Sequence, residues 1–292
     1  MAANWQDKER VSEREMSTIE LEKMSEHVGT EILGIDLNRA SDADIETIKA
    51  ELANRGLVVF RDQNLDEQGH IDFAKRIGPI VVNNYFPENG KFPEIAEVRK
   101  AETQLANIGG GWHTDHSYDQ IPAMGSILVA RELPPVGGDT LFASMAAAYE
   151  SLSDGLKKTL ESLRAVHTAD HIYGPQGFLS NSDQGADLKG RDLKTLAIHP
   201  AVIRHPVTGQ KLLYVNSAFT THFEGWTRDE SLVLLNYLYA IGMQEEFQCR
   251  LQWQPGTVAM WDNRSTWHYA LNDYHGHRRL MHRITIDGVP IS

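Results

Sequence analysis

The chain has 292 residues, 41% hydrophobic and 23% charged, with a net charge of −12 and a single cysteine. That composition is globular and long enough for a core without staples, and the lone Cys249 excludes an intramolecular disulfide framework and a cysteine-cluster metal site. The acidic balance argues against nucleic acid or an anionic membrane as partner, and the lack of a long apolar run or signal core points to a soluble, cytoplasmic protein.

Residues 1–17 carry mixed charge and few apolar groups, the pattern of a flexible N-terminal arm, and 18–292 read as one domain. Val28 to Leu37 reads as a strand pair or bent strand punctuated by glycine. Ser41 is an N-cap candidate for a helix running to Asn54. Leu57 to Phe60 is a short buried strand, Leu65 to Ile77 a helix, and Glu94 to Val98 a strand. Ala101 to Gly111 is a loop ending in three glycines. Ser126 to Ala130 is strand-like, and Ser144 to Leu163 is helical with a break at Asp154-Gly155. Residues 174–197 are polar and glycine-rich, a long insert of the kind used as a lid. Strands follow at Val202-Ile203 and Lys211 to Val215, a helix at Asp229 to Ile241, and strands at Gln248 to Trp253, Thr257 to Trp261 and Arg279 to Ile286. Helices at the start and short strands elsewhere predict an α+β chain with a β-sandwich or jelly-roll core.

The residues that carry chemistry begin at Trp112-His113-Thr114-Asp115. On an extended segment a His-x-Asp puts an imidazole and a carboxylate on one face. A distant His268 completes a two-His, one-carboxylate set, which leaves open positions on Fe(II). With 13 histidines in the chain, roughly one His-x-Asp is expected by chance, so the motif draws its weight from context. Gly109 to Gly111 leads into it, and Gly137-Gly138-Asp139-Thr140 turns a hydroxyl toward a strand end. Arg279 and Arg283 differ by four residues, so a strand faces both guanidinium groups to one side, about 13 Å apart. Two such forks suit two anionic molecules. The same His/Asp/His set also suits a zinc hydrolase, and a non-catalytic jelly-roll binding protein is a third reading.

The stretches WHTD at 112–115, ELPPVGGDTLFAS at 132–144, HPVTGQKLLYVNSAFTT at 205–221 and WDNRSTWHYALNDYHGHRRLMHR at 261–283 resemble the taurine dioxygenase (TauD/TfdA) family of Fe(II)/2-oxoglutarate dioxygenases. The resemblance runs from about residue 19 to 288. It implies a cupin-like double-stranded β-helix with flanking helices, with Fe(II) as cofactor and 2-oxoglutarate and O2 as cosubstrates. By position it implies His113, Asp115 and His268 as iron ligands and Thr140 and Arg279 as the 2-oxoglutarate site. Arg283 falls at the substrate anion, with Tyr173 and Phe219 as aromatic pocket positions. Asn83 and Phe86 stand where taurine dioxygenase has a His and a Tyr, Gly109 where it has an Asn, and His116 where it has a Val. These departures remove sulfonate and amine contacts. They leave another sulfonate, an alkyl sulfate, an aryloxyalkanoate or another small carboxylate as the expected substrate. Family members are often dimers or tetramers.

Overall fold

The computed structural model describes residues 19–83, 85–179, 182–183 and 195–292. The predicted arm at 1–17 and most of the predicted lid lie outside the described residues. What is described of 174–197 is turn and coil up to a strand that starts at Ala197.

In chain order the elements are β1 (Glu20–Lys23), β2 (Thr30–Leu33), α1 (Asp42–Arg55), β3 (Leu57–Phe60), α2 (Glu67–Ile77), β4 (Ile80–Val81), β5 (Glu88–Asn89), β6 (Phe92–Lys100), β7 (Gly125–Glu132) and β8 (Thr140–Ser144). Then come α3 (Met145–Glu150), α4 (Asp154–Leu160), β9 (Arg164–His167), α5 (Asp170–Tyr173), β10 (Ala197–Pro200), β11 (Val202–Arg204), β12 (Lys211–Leu213) and β13 (Thr220–Phe223). The chain ends with α6 (Arg228–Gly242), β14 (Gln248–Leu251), β15 (Val258–Asp262), β16 (Thr266–Ala270) and β17 (Arg279–Ile286).

A nine-stranded sheet runs β1-β2-β3-β15-β7-β17-β6-β5, with β4 added to β17, and a smaller sheet runs β14-β8-β16. Alternation along the strands explains both. Leu57, Val59, Leu128, Ala259, Trp261 and Met281 turn inward and meet Phe142, Cys249 and Leu251 of the small sheet in one core. Their neighbours Val58, Phe60, Ile127, Val129, Val258 and Met260 turn outward and are covered by Ile45, Ile48 and Leu52 of α1 and Ile71, Phe73 and Ala74 of α2. With both faces buried, β3 and β15 read as continuous apolar runs rather than alternating ones.

The helix ends follow their caps. Ser41 and Asp44 form the capping box that starts α1, and Thr227 and Glu230 repeat it at α6. The helix expected over Ser144 to Leu163 is two. Ser153 accepts the Leu156 N–H and starts α4, so Asp154 and Gly155 open the second helix instead of interrupting one. A three-stranded sheet, β10-β9-β13, lies outside the strands expected from sequence. Its members are four residues each and flank polar segments, so no periodicity announces them.

Candidate active site

His113 and His268 are joined through their backbones. His113 N–H donates to His268 O at 3.1 Å and His268 N–H to His113 O at 2.7 Å, an isolated antiparallel bridge. Strand β16 is anchored in turn by β8, where His268 sits opposite Phe142. His268 therefore lies in mid-strand, not at a strand end. Asp115 opens a turn directly after the bridge, so turn geometry rather than strand alternation aims its carboxylate.

The three side chains converge. His113 Nε2 lies 3.6 Å from Asp115 Oδ1, and His268 Nε2 lies 3.5 Å from Asp115 Oδ2. One donor atom of each lies within 4.8 Å of the others, and all three residues are buried. His113 Nδ1 is 2.8 Å from the Gly111 carbonyl, which can only accept, so Nδ1 carries the proton and Nε2 is left to ligate. Burial, then the neighbouring His113, holds the His268 imidazole well below its ordinary value, in the neutral form that binds metal. Burial pushes the Asp115 carboxyl up, but Arg283, then His268 and His113, outweigh it and hold the group below the usual carboxylate range. Asp115 Oδ2 and His268 Nδ1 are buried with no hydrogen-bond partner among the described residues. Two imidazoles, one carboxylate and buried orphan atoms fit a non-haem iron centre.

A cavity opens beside these residues, walled by Thr140, Arg279, Arg283, Phe86, Tyr173 and Trp253 among others. Arg279 and Arg283 share one face of β17, as their spacing predicts, and both are buried. Arg283 Nη2 approaches Asp115 Oδ2, and its guanidinium lies 5.9 Å from the centre of the Trp261 ring. Arg279 lies 5.7 Å from the centre of the Trp253 ring. Trp253 Nε1–H donates to Thr140 Oγ1 at 2.9 Å. That bond occupies a lone pair and leaves the Thr140 proton free to point into the cavity. Gly138, at φ 74°, lets the chain pass close to Arg279, because an added Cβ would stand 3.4 Å from its Cδ and Nε.

The aromatic positions divide. Phe86 and Tyr173 line the cavity edge to face, 6.2 Å and 90° apart. Phe219 stands edge-on to His113 at 6.2 Å and lines a second, largely apolar opening that shares Gly109, His113 and Tyr173 with the first. Asn83 and His116 lie one layer behind the cavity wall. Asn83 Oδ1 accepts the N–H groups of Tyr85 (2.8 Å) and Phe86 (3.0 Å), so it shapes the turn that presents Phe86. His116 sits at φ 60° with Nδ1 2.8 Å from Asp119 Oδ2. Sequence reasoning missed Trp253, whose segment has no motif, and the apolar wall formed by Val98, Ile108 and Leu128.

Sandwich, buried His/Asp/His cluster and arginine-lined cavity together define a non-haem Fe(II) oxygenase. The chain belongs to the Taurine catabolism dioxygenase TauD, TfdA family, whose model it matches over residues 20–285. It is 35% identical over 284 residues to the "Alpha-ketoglutarate-dependent dioxygenase cnsM" of Penicillium expansum, covering 92% of this chain and 78% of that one. It is 35% identical over 275 residues to an "Alkylsulfatase" of Acinetobacter baylyi, covering 92% and 85%. With an "Alpha-ketoglutarate-dependent sulfonate dioxygenase" of Saccharomyces cerevisiae it shares 33% identity over 268 residues, 88% of this chain and 63% of that one. A solved structure described as a putative alpha-ketoglutarate-dependent taurine dioxygenase from Burkholderia xenovorans superposes with a TM-score of 0.79 at 33% identity, covering 93% of both chains. The protein is thus an Fe(II)- and 2-oxoglutarate-dependent dioxygenase. No helix among the described residues is long and apolar enough to cross a membrane.

Proposed function

We propose that His113, Asp115 and His268 hold Fe(II), that Thr140 and Arg279 seat the distal carboxylate of 2-oxoglutarate, and that Arg283 fixes the anion of a small organic substrate. Phe86, Tyr173 and Phe219 give that substrate's carbon skeleton an apolar wall. The observation that carries this reading is one buried cavity holding the His/Asp/His cluster together with two arginines. Bound Fe(II) supplies the redox chemistry by which O2 and 2-oxoglutarate yield succinate, CO2 and a hydroxylated substrate. The protein's part is positional. Arg279 and the Thr140 hydroxyl hold the 2-oxo acid by its far end, Arg283 holds the substrate by its anion, and the aromatic wall excludes water.

A sulfonate or a sulfate ester is the favoured substrate class. Relatives carry both names, and an arginine with rings around it suits a monoanion on an apolar chain. Phe86 offers a ring with no polar handle, which disfavours taurine, whose amine needs a partner. A small carboxylate remains a test compound. We read the fold as a double-stranded β-helix in one domain over 18–292. We take the assembly to be a cytoplasmic homodimer or homotetramer, without nucleic-acid or membrane partners, on the family resemblance and the acidic charge.

Anaerobic titration of the Fe(II)-loaded protein with 2-oxoglutarate, followed by the weak visible charge-transfer band, tests the reading. A screen of sulfonates, sulfate esters and aryloxy acids for succinate release then names the substrate. Absence of the band and of any 2-oxo acid binding would overturn the proposal.

A further inference from the structure

Lys100 is the last residue of β6, 3% exposed, and its ammonium has no hydrogen-bond partner among the described residues. The ammonium lies over the face of the Tyr274 ring, 4.4 Å from the centroid. The residue directly across the sheet is Arg279, and the register continues inward as Val98 opposite Met281 and Ala96 opposite Arg283. Residues opposite one another on adjacent strands share a face. Lys100 therefore extends the row in which Val98, Arg279 and Arg283 wall the active-site cavity. Arg279 forms the partition, because it also lines a polar groove together with Lys100.

Two like charges opposite each other on a sheet, both buried, oppose folding unless an anion lies between them. The described residues provide none. Arg279 Nε also lacks a partner among the described residues. The Asp139 carboxylate, which acts on Arg279 electrostatically, is held by Arg250 at 2.7 Å. Neither Lys100 nor Arg279 forms an ion pair with a described carboxylate at a distance that defines a salt bridge. A ring face satisfies an ammonium only in part. The missing group is an anion with room for two cationic donors.

We propose that Lys100 is a binding residue for the distal carboxylate of the 2-oxo acid, forming a two-cation seat with Arg279. This rests on the reading of Arg279 as the 2-oxoglutarate anchor. The two cations then discriminate a dicarboxylic 2-oxo acid from a monocarboxylic one, because only the former brings a charge to that end of the cavity.

The test uses the full-length, Fe(II)-loaded protein without O2, as wild type and as Lys100→Met, Lys100→Gln and Lys100→Arg. Each is titrated with 2-oxoglutarate and with 2-oxobutanoate, which shares the chelating head and lacks the distal carboxylate. Removing the charge is expected to raise the Kd for 2-oxoglutarate by about tenfold or more. The Kd for 2-oxobutanoate should move by less than about twofold, and Lys100→Arg should keep the preference. Without 2-oxo acid, Lys100→Met should melt at or above the wild-type temperature, because an unpaired buried charge has been removed. A role confined to the Tyr274 ring predicts the opposite shift. Unchanged 2-oxoglutarate binding in Lys100→Met, or failure of both uncharged variants to fold, would overturn the proposal. Failure of the wild type itself to bind 2-oxoglutarate would instead remove the reading of Arg279 beneath it.

Discussion

Arg283 brings Nη2 to 2.9 Å from Oδ2 of Asp115, so the guanidinium that faces the cavity also neutralises the carboxylate of the metal set. The contact is an ion pair without hydrogen-bond alignment, since neither atom has a hydrogen-bond partner among the described residues. Arg283 thus serves Asp115 as a charge and keeps its donors for the cavity.

Replacing Arg283 by alanine is expected to act twice. Loss of a charge-assisted contact worth about 1.5–3 kcal/mol should raise the substrate KM by roughly 10- to 150-fold, with 2-oxoglutarate binding largely kept. Arg283 is also the largest influence lowering the Asp115 pKa. Without it the carboxyl takes a proton at higher pH, so Fe(II) affinity should fail earlier as the solution is acidified. Steady-state kinetics and Fe(II) titrations across pH check both effects. An unchanged KM would remove Arg283 from the substrate site.

For His268→Ala the expected result is loss of tight Fe(II) binding with the fold intact. The backbone bridge to His113 does not involve the imidazole, so β16 keeps its register. Circular dichroism and anaerobic Fe(II) titration separate the two properties. Near-normal iron affinity would sink the ligand assignment.

Trp253→Phe isolates one hydrogen bond. Phenylalanine keeps a ring near Arg279 but removes the N–H that occupies the Thr140 oxygen. Thr140 can then spend its own proton elsewhere, and its hold on the 2-oxo acid should loosen. The 2-oxoglutarate KM is expected to rise several-fold, in line with about 1 kcal/mol for one hydrogen bond, with little change in the KM of the primary substrate. An equal rise in both would mean the ring, not the bond, matters.

These cases show where sequence was sufficient. The His113, Asp115 and His268 set was legible because ligand chemistry admits few residue types, and Arg279 with Arg283 because a strand repeats every second residue. The strands β3, β7 and β15 announced themselves through apolar runs that two covered faces require. What stayed hidden depends on the third dimension. Nothing in the segment around Trp253 says that its N–H meets Thr140, more than a hundred residues earlier in the chain. Asn83 and His116 were expected at the substrate by position alone. Their partners, the backbone of Tyr85 and Phe86 and the Asp119 carboxylate, are local turn contacts that a positional match does not reveal.

Two buried histidines away from the iron site set an acid limit on stability. His70 is held down to about 3 by burial, then by Arg131 and His282. His167 is held to about 3 by burial, then by His199. Both are neutral in the fold, whereas the unfolded chain binds a proton near the ordinary value of 6.5. Between those values the unfolded state holds more protons, so stability falls as pH drops through about 6.5 and is flat above it. Each group contributes about 1.4 kcal/mol per pH unit once below that point. Urea unfolding at pH values on either side of 6.5 measures the slope. His70→Leu should remove a share of it, because leucine fills the same buried site without a group to protonate in the unfolded chain. An unaltered slope would show that His70 is not one of the groups responsible.

Gly109 controls the junction between the cavity and the apolar opening, since it lines both. Its φ is 78°, and its carbonyl accepts the Ala270 N–H at 2.9 Å, so the backbone there is fixed. An added Cβ would stand 3.3 Å from His113 Cε1 and 3.7 Å from Ala270 Cβ. Asparagine tolerates this left-handed conformation better than most residues, so Gly109→Asn narrows the passage with limited backbone strain. A chain that fills both spaces loses more than one that fits the cavity alone. The expected outcome is a fall in kcat/KM for long-chain sulfate esters or sulfonates at least about tenfold greater than for short-chain ones. Fe(II) affinity should be retained, because His113 keeps its bond to the Gly111 carbonyl and its bridge to His268. Equal losses for short and long chains would show that the apolar opening does not hold the substrate's tail.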